Sequence, residues 1–209
     1  MTKNWALRAH EACDWVLWAA AMNALWLGGT IAGGVVLGLA PATVAVSVLT
    51  RRRLRGERFA VVAAFATAWR REFLGAQIAV GVPVLIAALL IAQGTAQLGR
   101  TGGPWAAALL VGGAYAAVVA AVSSAMVANY ELRGRSYVPA ASRWLLRNLP
   151  HALLLLAVGA VLTAATLALP SLAVFLSVGA WLTASTVISL GFFAVNEAAI
   201  AQQNEGVHP

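Results

Sequence analysis

Four long stretches of this chain carry no charged residue: Trp15–Thr50, Phe73–Gly99, Thr101–Tyr130 and Asn148–Asn196. The hydrocarbon core of a bilayer is about 30 Å thick and takes about 20 apolar residues of helix to cross. The whole chain of 209 residues is 61% hydrophobic and 10% charged, with mean hydropathy +0.82. A soluble domain carries about 25% charged residues. No soluble core absorbs such a deficit, so the bilayer is the main solvent. The fold class expected is all-α: a polytopic membrane bundle of five transmembrane helices with two or three amphipathic interfacial helices.

The net charge of +7 resembles a nucleic-acid signature, but its placement argues against one. Eleven of the fourteen basic residues lie in two blocks beside apolar runs, the pattern of cytoplasmic membrane loops. No soluble basic domain exists to present to nucleic acid. Cys13 is the one cysteine, so no intrachain disulfide forms. Glu11 and Asp14 precede a first apolar run too long for a cleavable signal peptide.

Taken in order, residues 1–14 mix Lys3, Arg8, Glu11 and Asp14 with Trp5, Ala6 and Cys13, and lead to Trp15 and Trp18. This reads as a short interfacial helix with a tryptophan belt. The next 36 residues, as one straight helix, would extend about 54 Å. Two full crossings plus a turn do not fit, so one crossing (about 15–40) is expected. A second helix would start at Pro41, where proline is tolerated as the first residue. Gly29 and Gly33, and Thr30, Gly34 and Gly38, form small-residue stripes that let backbones approach. With Pro41 they mark the packing centre of the bundle.

Arg51, Arg52, Arg53, Arg55, Arg58, Arg70 and Arg71 follow, against Glu57 and Glu72. Between them Phe59, Val62, Phe65, Trp69 and Phe73 recur at helical spacing, an amphipathic helix in the membrane plane. Segment 41–72 is thus expected on the cytoplasmic side. A second crossing covers 73–94, with Gln77 and Gln93 near its ends and a kink at Pro83; a third covers 104–130. Residues 131–149 carry Glu131, Arg133, Arg135, Arg143 and Arg147 and a second amphipathic piece, VPAASRWLLRNL. Crossings four and five, 150–169 and 172–196, meet at Pro170-Ser171. The whole of 1–209 is one membrane domain, with the N-terminus outside and the C-terminus cytoplasmic. A re-entrant first segment would instead place the N-terminus inside.

The two basic blocks resemble each other. FATAWRREFLGA (65–76) aligns with ASRWLLRNLPHA (141–152), pairing Arg71 with Arg147 and Ala76 with Ala152. Both run in the same direction, so the repeat is parallel.

The order of motifs is similar to the YesL-like family of bacterial membrane proteins, a domain of unknown function. It rests on LWLGGTIAGGVVLGLAPATVAV (25–46), a basic stretch with Gly56-Glu57, and FATAWRREFLGA. The resemblance implies residence in a bacterial inner membrane and an accessory role in carbohydrate uptake, with ABC transporter subunits as partners. It implies no catalytic residue.

The residues themselves suggest little chemistry. His10, His151 and His208 are scattered, no carboxylates pair, and no Cys/His spacing fits a metal. The glycines from 28 to 38 lack the strand and lysine of a phosphate loop. No catalytic residue, cofactor or metal is expected, and the protein reads as non-enzymatic. Arg51, Arg52, Arg53, Arg55, Arg58, Arg70, Arg71, Arg143 and Arg147 would face anionic lipid or a partner at the cytoplasmic surface. Asn23 is the best intramembrane polar candidate. Asn129, Glu131, Asn196 and Glu197 either latch onto the loop arginines or stand as solvated groups at the inner surface. The rival reading is a small-solute transporter or channel acting as a homo-oligomer, with the glycine-rich helix lining its path.

Overall fold

The computed structural model describes residues 3–100 and 102–205, and they form eight α-helices joined by short turns and two π-helical pieces, with no strand among them. His208 lies outside the described residues. Five helical spans are long and apolar enough to cross a membrane: Arg8–Ala32, Gln77–Arg100, Pro104–Asn129, Leu149–Ala168 and Ala173–Gln203. The chain is a helical membrane protein of the class its charge-free runs require.

Its first apolar run takes a different path from the one expected. Helix α1 (Lys3–Ala32) ends early, and the chain reverses through Gly33, Gly34 and Val35 into α2 (Val36–Leu54). Gly34 and Val35 take φ of +72° and +65°, the left-handed region that a reversal needs. Helix α2 then runs back along α1. The indole of Trp26 donates to Thr43 Oγ1 (3.0 Å), that of Trp18 donates to Thr50 Oγ1 (3.4 Å), and Arg53 pairs with Asp14. The single crossing over 15–40 is therefore corrected to a helical hairpin. Segment 41–72 is not wholly interfacial, and Asp14 lies at the same end as the arginine block rather than across the membrane from it.

The physical reason is enclosure. The apolar part of α2, from Val36 to Thr50, is about 22 Å long, too short to span the bilayer alone. It need not span, because α1 and the helices α3 (Val61–Arg71), α5 (Pro104–Asn129) and α8 (Val178–Glu205) cover it, and eleven of its residues between Gly38 and Thr50 are buried. The glycines permit the tight return. A Cβ on Gly33 would sit 2.2 Å from the Gly38 Cα, and one on Gly38 would sit 2.4 Å from the Thr30 carbonyl oxygen. Gly34, expected in the packing stripe, serves the turn instead and has open space around it.

Pro41 is buried inside α2, not at its first position. Proline has no N–H, so the Leu37 carbonyl loses its intrahelical donor. The Gln77 side-chain amide supplies one, donating to Leu37 O at 2.8 Å and to Phe73 O at 3.0 Å.

Helix α3 (Val61–Arg71) is the amphipathic helix that the spacing indicated. Phe65 and Trp69 lie over α1, within 3.0–3.2 Å of where a Gly29 Cβ would be. Val62 departs from the expected face and is exposed, because the helix buries Phe65 and Ala68 instead. A π-helical turn (Gln77–Gly81) leads into α4 (Val82–Arg100), so the irregularity expected at Pro83 precedes it. Helix α5 (Pro104–Asn129) packs antiparallel on α4, with Gly94 under Leu110 and Gly113 under Ile91.

Helix α6 (Tyr137–Arg147) buries Tyr137, Ala141 and Leu145 at four-residue spacing. Its ends fall 76 positions after those of α3, and both helices have 11 residues. Helix α7 (Leu149–Ala168) follows, then a π-helical turn (Ala173–Ser177) and α8 (Val178–Glu205). Elements α2–α3–α4 and α5–α6–α7 repeat in order, with α1 and α8 outside the repeat. Ser47 of the first copy bonds Ser124 of the second at 3.0 Å, one residue from its own equivalent, Ser123.

Candidate functional site

Several polar groups inside the bundle are engaged with one another or with backbone, while Thr30 Oγ1, Trp69 Nε1, Ser123 Oγ and Thr183 Oγ1 are buried without a partner. Asn23 is fully buried, with its amide N–H donating to Val174 O (2.5 Å) and its carbonyl accepting from Gly179 N–H (2.8 Å). Residues 174 and 179 are five apart, the pair that one further π-helical bond would join. The Asn23 side chain inserts between them and completes the ladder. The fit is close: a Cβ on Gly179 would lie 2.1 Å from the Ala19 carbonyl oxygen.

One layer further along, Thr186 Oγ1 donates to Ser47 Oγ (3.0 Å), and Ser47 bonds Ser124. This joins α8, α2 and α5. His151 is also fully buried, stacked on Phe192 with ring centroids 4.6 Å apart. Its Nδ1 accepts from the Trp144 indole at 2.9 Å, so the ring proton belongs on Nε2, 3.2 Å from Ser189 Oγ. This ties α6, α7 and α8 together, and it follows the pattern of a satisfied buried histidine rather than a proton carrier.

The carboxylates expected to latch onto arginines find other partners. Glu197 accepts the Tyr130 hydroxyl at 2.5 Å. Burial, and then Glu197, push the Tyr130 phenol up to about 12. Tyr137 closes the same corner, donating to Tyr130 O (2.8 Å) and accepting from Leu132 N–H (3.0 Å). Glu131 is exposed, and Asn129 and Asn196 are half-buried. The ion pairs among the described residues are Arg52–Glu57, Arg53–Asp14 and Arg71–Glu72. Glu197 thus takes the Tyr130 hydroxyl rather than an arginine as its hydrogen-bond partner, and its charge is felt by Arg51 without a direct ion pair.

The arginines gather at one end of the hairpin. Arg53 lies over Trp15 and Trp18 (4.9 and 4.6 Å to the centroids), and Arg52 over Phe59 at 4.3 Å. Burial is the main cause that lowers the Arg51 guanidinium from its ordinary value, and Glu197 is among the groups that oppose it. Arg55, Arg58, Arg70, Arg71, Arg143 and Arg147 are exposed. Arg143 donates to the Pro139 carbonyl at 3.2 Å.

Two cavities accompany these features. The larger, about 820 Å³, has apolar walls from Ile91, Ala117, Leu155, Gly159 and Trp181, with the Thr166–Ser177 hydroxyl pair (2.6 Å) among its lining. The smaller, about 480 Å³, lies between α2 and α3 and is lined by arginines 52 and 71. No three His, Cys, Asp or Glu residues come together as metal ligands among the described residues. The roles of Gln77 and His151, and the Ser47–Ser124–Thr186 cluster, escaped the sequence reading. A proline inside a helix signals an orphan carbonyl, but nothing local says which distant amide answers it.

Comparison with known proteins places the N-terminal part of the chain. Residues 19–93 match the family model described as "Protein of unknown function, DUF624". The chain is 36% identical over 83 residues to "Uncharacterized protein YesL" of Bacillus subtilis (strain 168), covering 39% of each. It is 35% identical over 66 residues to "Uncharacterized protein YesV" of the same organism, covering 31% of this chain and 32% of that protein. These matches span about two fifths or less of the relatives' length. No solved structure matches the chain. The YesL-like character read from the motifs holds over this segment, which contains the hairpin turn, Pro41, Gln77 and the whole of α3.

Proposed function

We propose that this YesL-like membrane protein is non-enzymatic and acts through contacts at its arginine-bearing face, as an accessory to carbohydrate uptake by an ABC-type importer. One observation carries the reading. The polar side chains at Asn23, Ser47, Ser124, Thr186 and His151 bond to one another or to backbone. The basic residues gather at the hairpin's open end and on α3 and α6. The link to carbohydrate uptake comes from the family resemblance.

By the positive-inside rule both arginine blocks face the cytoplasm. The Asp14–Arg53 pair then sets the start of α1 on the cytoplasmic side, and Glu197 beside Tyr130 sets the end of α8 there too. Both termini are cytoplasmic in this reading. Affinity capture from cells grown on a series of glycans tests the accessory role. Recovery of importer subunits supports it, and their absence under every growth condition overturns it.

The rival is a small-solute transporter or channel built from several copies. Helix α7 favours it to a degree, since only His151 and Leu155 of that helix are buried. Against it, the walls of the 820 Å³ cavity are apolar. Solute flux through proteoliposomes of the purified chain would reverse the preference.

A further inference from the structure

The smaller cavity is built unlike the rest of the surface. Its floor is Val48 with Ala60, Ala63, Ala64 and Ala68, all small enough to leave a cleft of about 480 Å³. Its polar groups are Thr67, Arg52 and Arg71. Each arginine is gripped through Nε by a nearby carboxylate: Arg52 by Glu57 (2.6 Å) and Arg71 by Glu72 (2.8 Å). A guanidinium has five N–H donors in a planar fork. Each fork keeps its terminal Nη donors outside these Nε bonds.

The first turn of α3 adds to this. Ala60, at its N-cap, makes no side-chain capping bond, and the amides of the first turn have no acceptor within the helix. Ala60, Ala63 and Ala64 line the cleft, so this turn forms part of its wall. Two arginine forks and a hydroxyl in the lining suit a phosphate group, whose oxygens take bidentate charge-assisted bonds. The methyl-lined floor beside them suits the carbon skeleton that carries the phosphate.

We propose that the α2–α3 cleft is a binding site for a phosphate-bearing ligand, held between Arg52 and Arg71 over the alanine floor. The group comes either from an anionic phospholipid headgroup or from a free phosphate ester. The site does not depend on the accessory role in uptake.

The test uses the full chain in detergent, titrated separately with short-chain phosphatidylglycerol, short-chain phosphatidylcholine and glycerol 3-phosphate. Saturable binding of phosphatidylglycerol that R52Q/R71Q weakens about tenfold or more is the expected result. R58Q/R143Q removes two exposed charges away from the cleft and should change affinity by no more than about twofold. A63L fills the floor with both arginines intact, and should weaken binding about as much as R52Q/R71Q. Phosphatidylglycerol binding alone identifies the lipid as the source. Equal binding of glycerol 3-phosphate identifies the free ester. No saturable binding of either, equal losses in R58Q/R143Q, or an unchanged A63L overturns the site. Thermal unfolding of each variant separates loss of the site from loss of the fold.

Discussion

The side-chain amide of Gln77 donates to the Leu37 carbonyl, the acceptor that Pro41 leaves without a donor in α2. A residue 40 positions away thus completes a helix that its own sequence interrupts. Q77L should destabilise the fold by about 1 kcal/mol, the ordinary net value of one hydrogen bond. In a P41A background the helix regains its own N–H, and the same substitution should cost much less. Unfolding of the four proteins in detergent gives the coupling directly. Equal losses in both backgrounds would show that Gln77 does not stand in for the missing donor.

Glycine positions should rank by contact rather than by their place in a stripe. G33A, G38A and G179A drive a Cβ to within 2.2, 2.4 and 2.1 Å of another backbone atom. Each should cost about 3 kcal/mol or more, as overpacking against backbone does. G34A meets open space but sits at φ +72°, so about 1–2 kcal/mol is expected. G28A meets nothing and lies inside α1, where alanine is favoured by about 0.5–1 kcal/mol. Melting temperatures in one detergent check the order.

Tyr130 should ionise late. Its phenol is pushed up to about 12 by burial and then by the carboxylate of Glu197. The neutral phenol is the form the fold favours, so its contribution to stability is complete below the ordinary value near 10. That contribution is lost as pH rises toward 12. In a Y115F/Y137F background, absorbance at the phenolate band should rise only in that window. Adding E197Q should move the rise to lower pH. A rise at the ordinary tyrosine value in the unmodified pair would contradict the Tyr130–Glu197 bond.

The start of α1 and the arginine block should share one side of the membrane. Cys13 is exposed and adjoins Asp14, the partner of Arg53. A membrane-impermeant maleimide should label Cys13 in inverted vesicles and spare it in intact spheroplasts. R58C in a C13S background should behave the same way. Opposite sidedness of the two positions would restore a full crossing between them.

Much of the bundle was legible in the chain because its signals are local. Charge-free runs delimit the long helices, and Pro170-Ser171 marks the hairpin between α7 and α8. The amphipathic piece at 138–149 marks α6, whose buried face, Tyr137, Ala141 and Leu145, the fold then shows. The candidate site was less legible. Arginines 52 and 71 are obvious as charges, but their convergence on one cleft depends on α3 folding back along α2.

Solvent, helical class and approximate spans can be read along the chain alone, because each follows from how many apolar residues lie between charges. The chain also carried the YesL-like resemblance, through the segment around the Pro41 step. That this segment folds as two antiparallel helices, and not as one helix running to residue 40, followed from tertiary packing. A helix facing lipid must match the bilayer's thickness, whereas one enclosed by other helices need not. Enclosure of α2 depends on residues as distant as Gln77, Ser124 and Thr186. No window of sequence around Pro41 contains them.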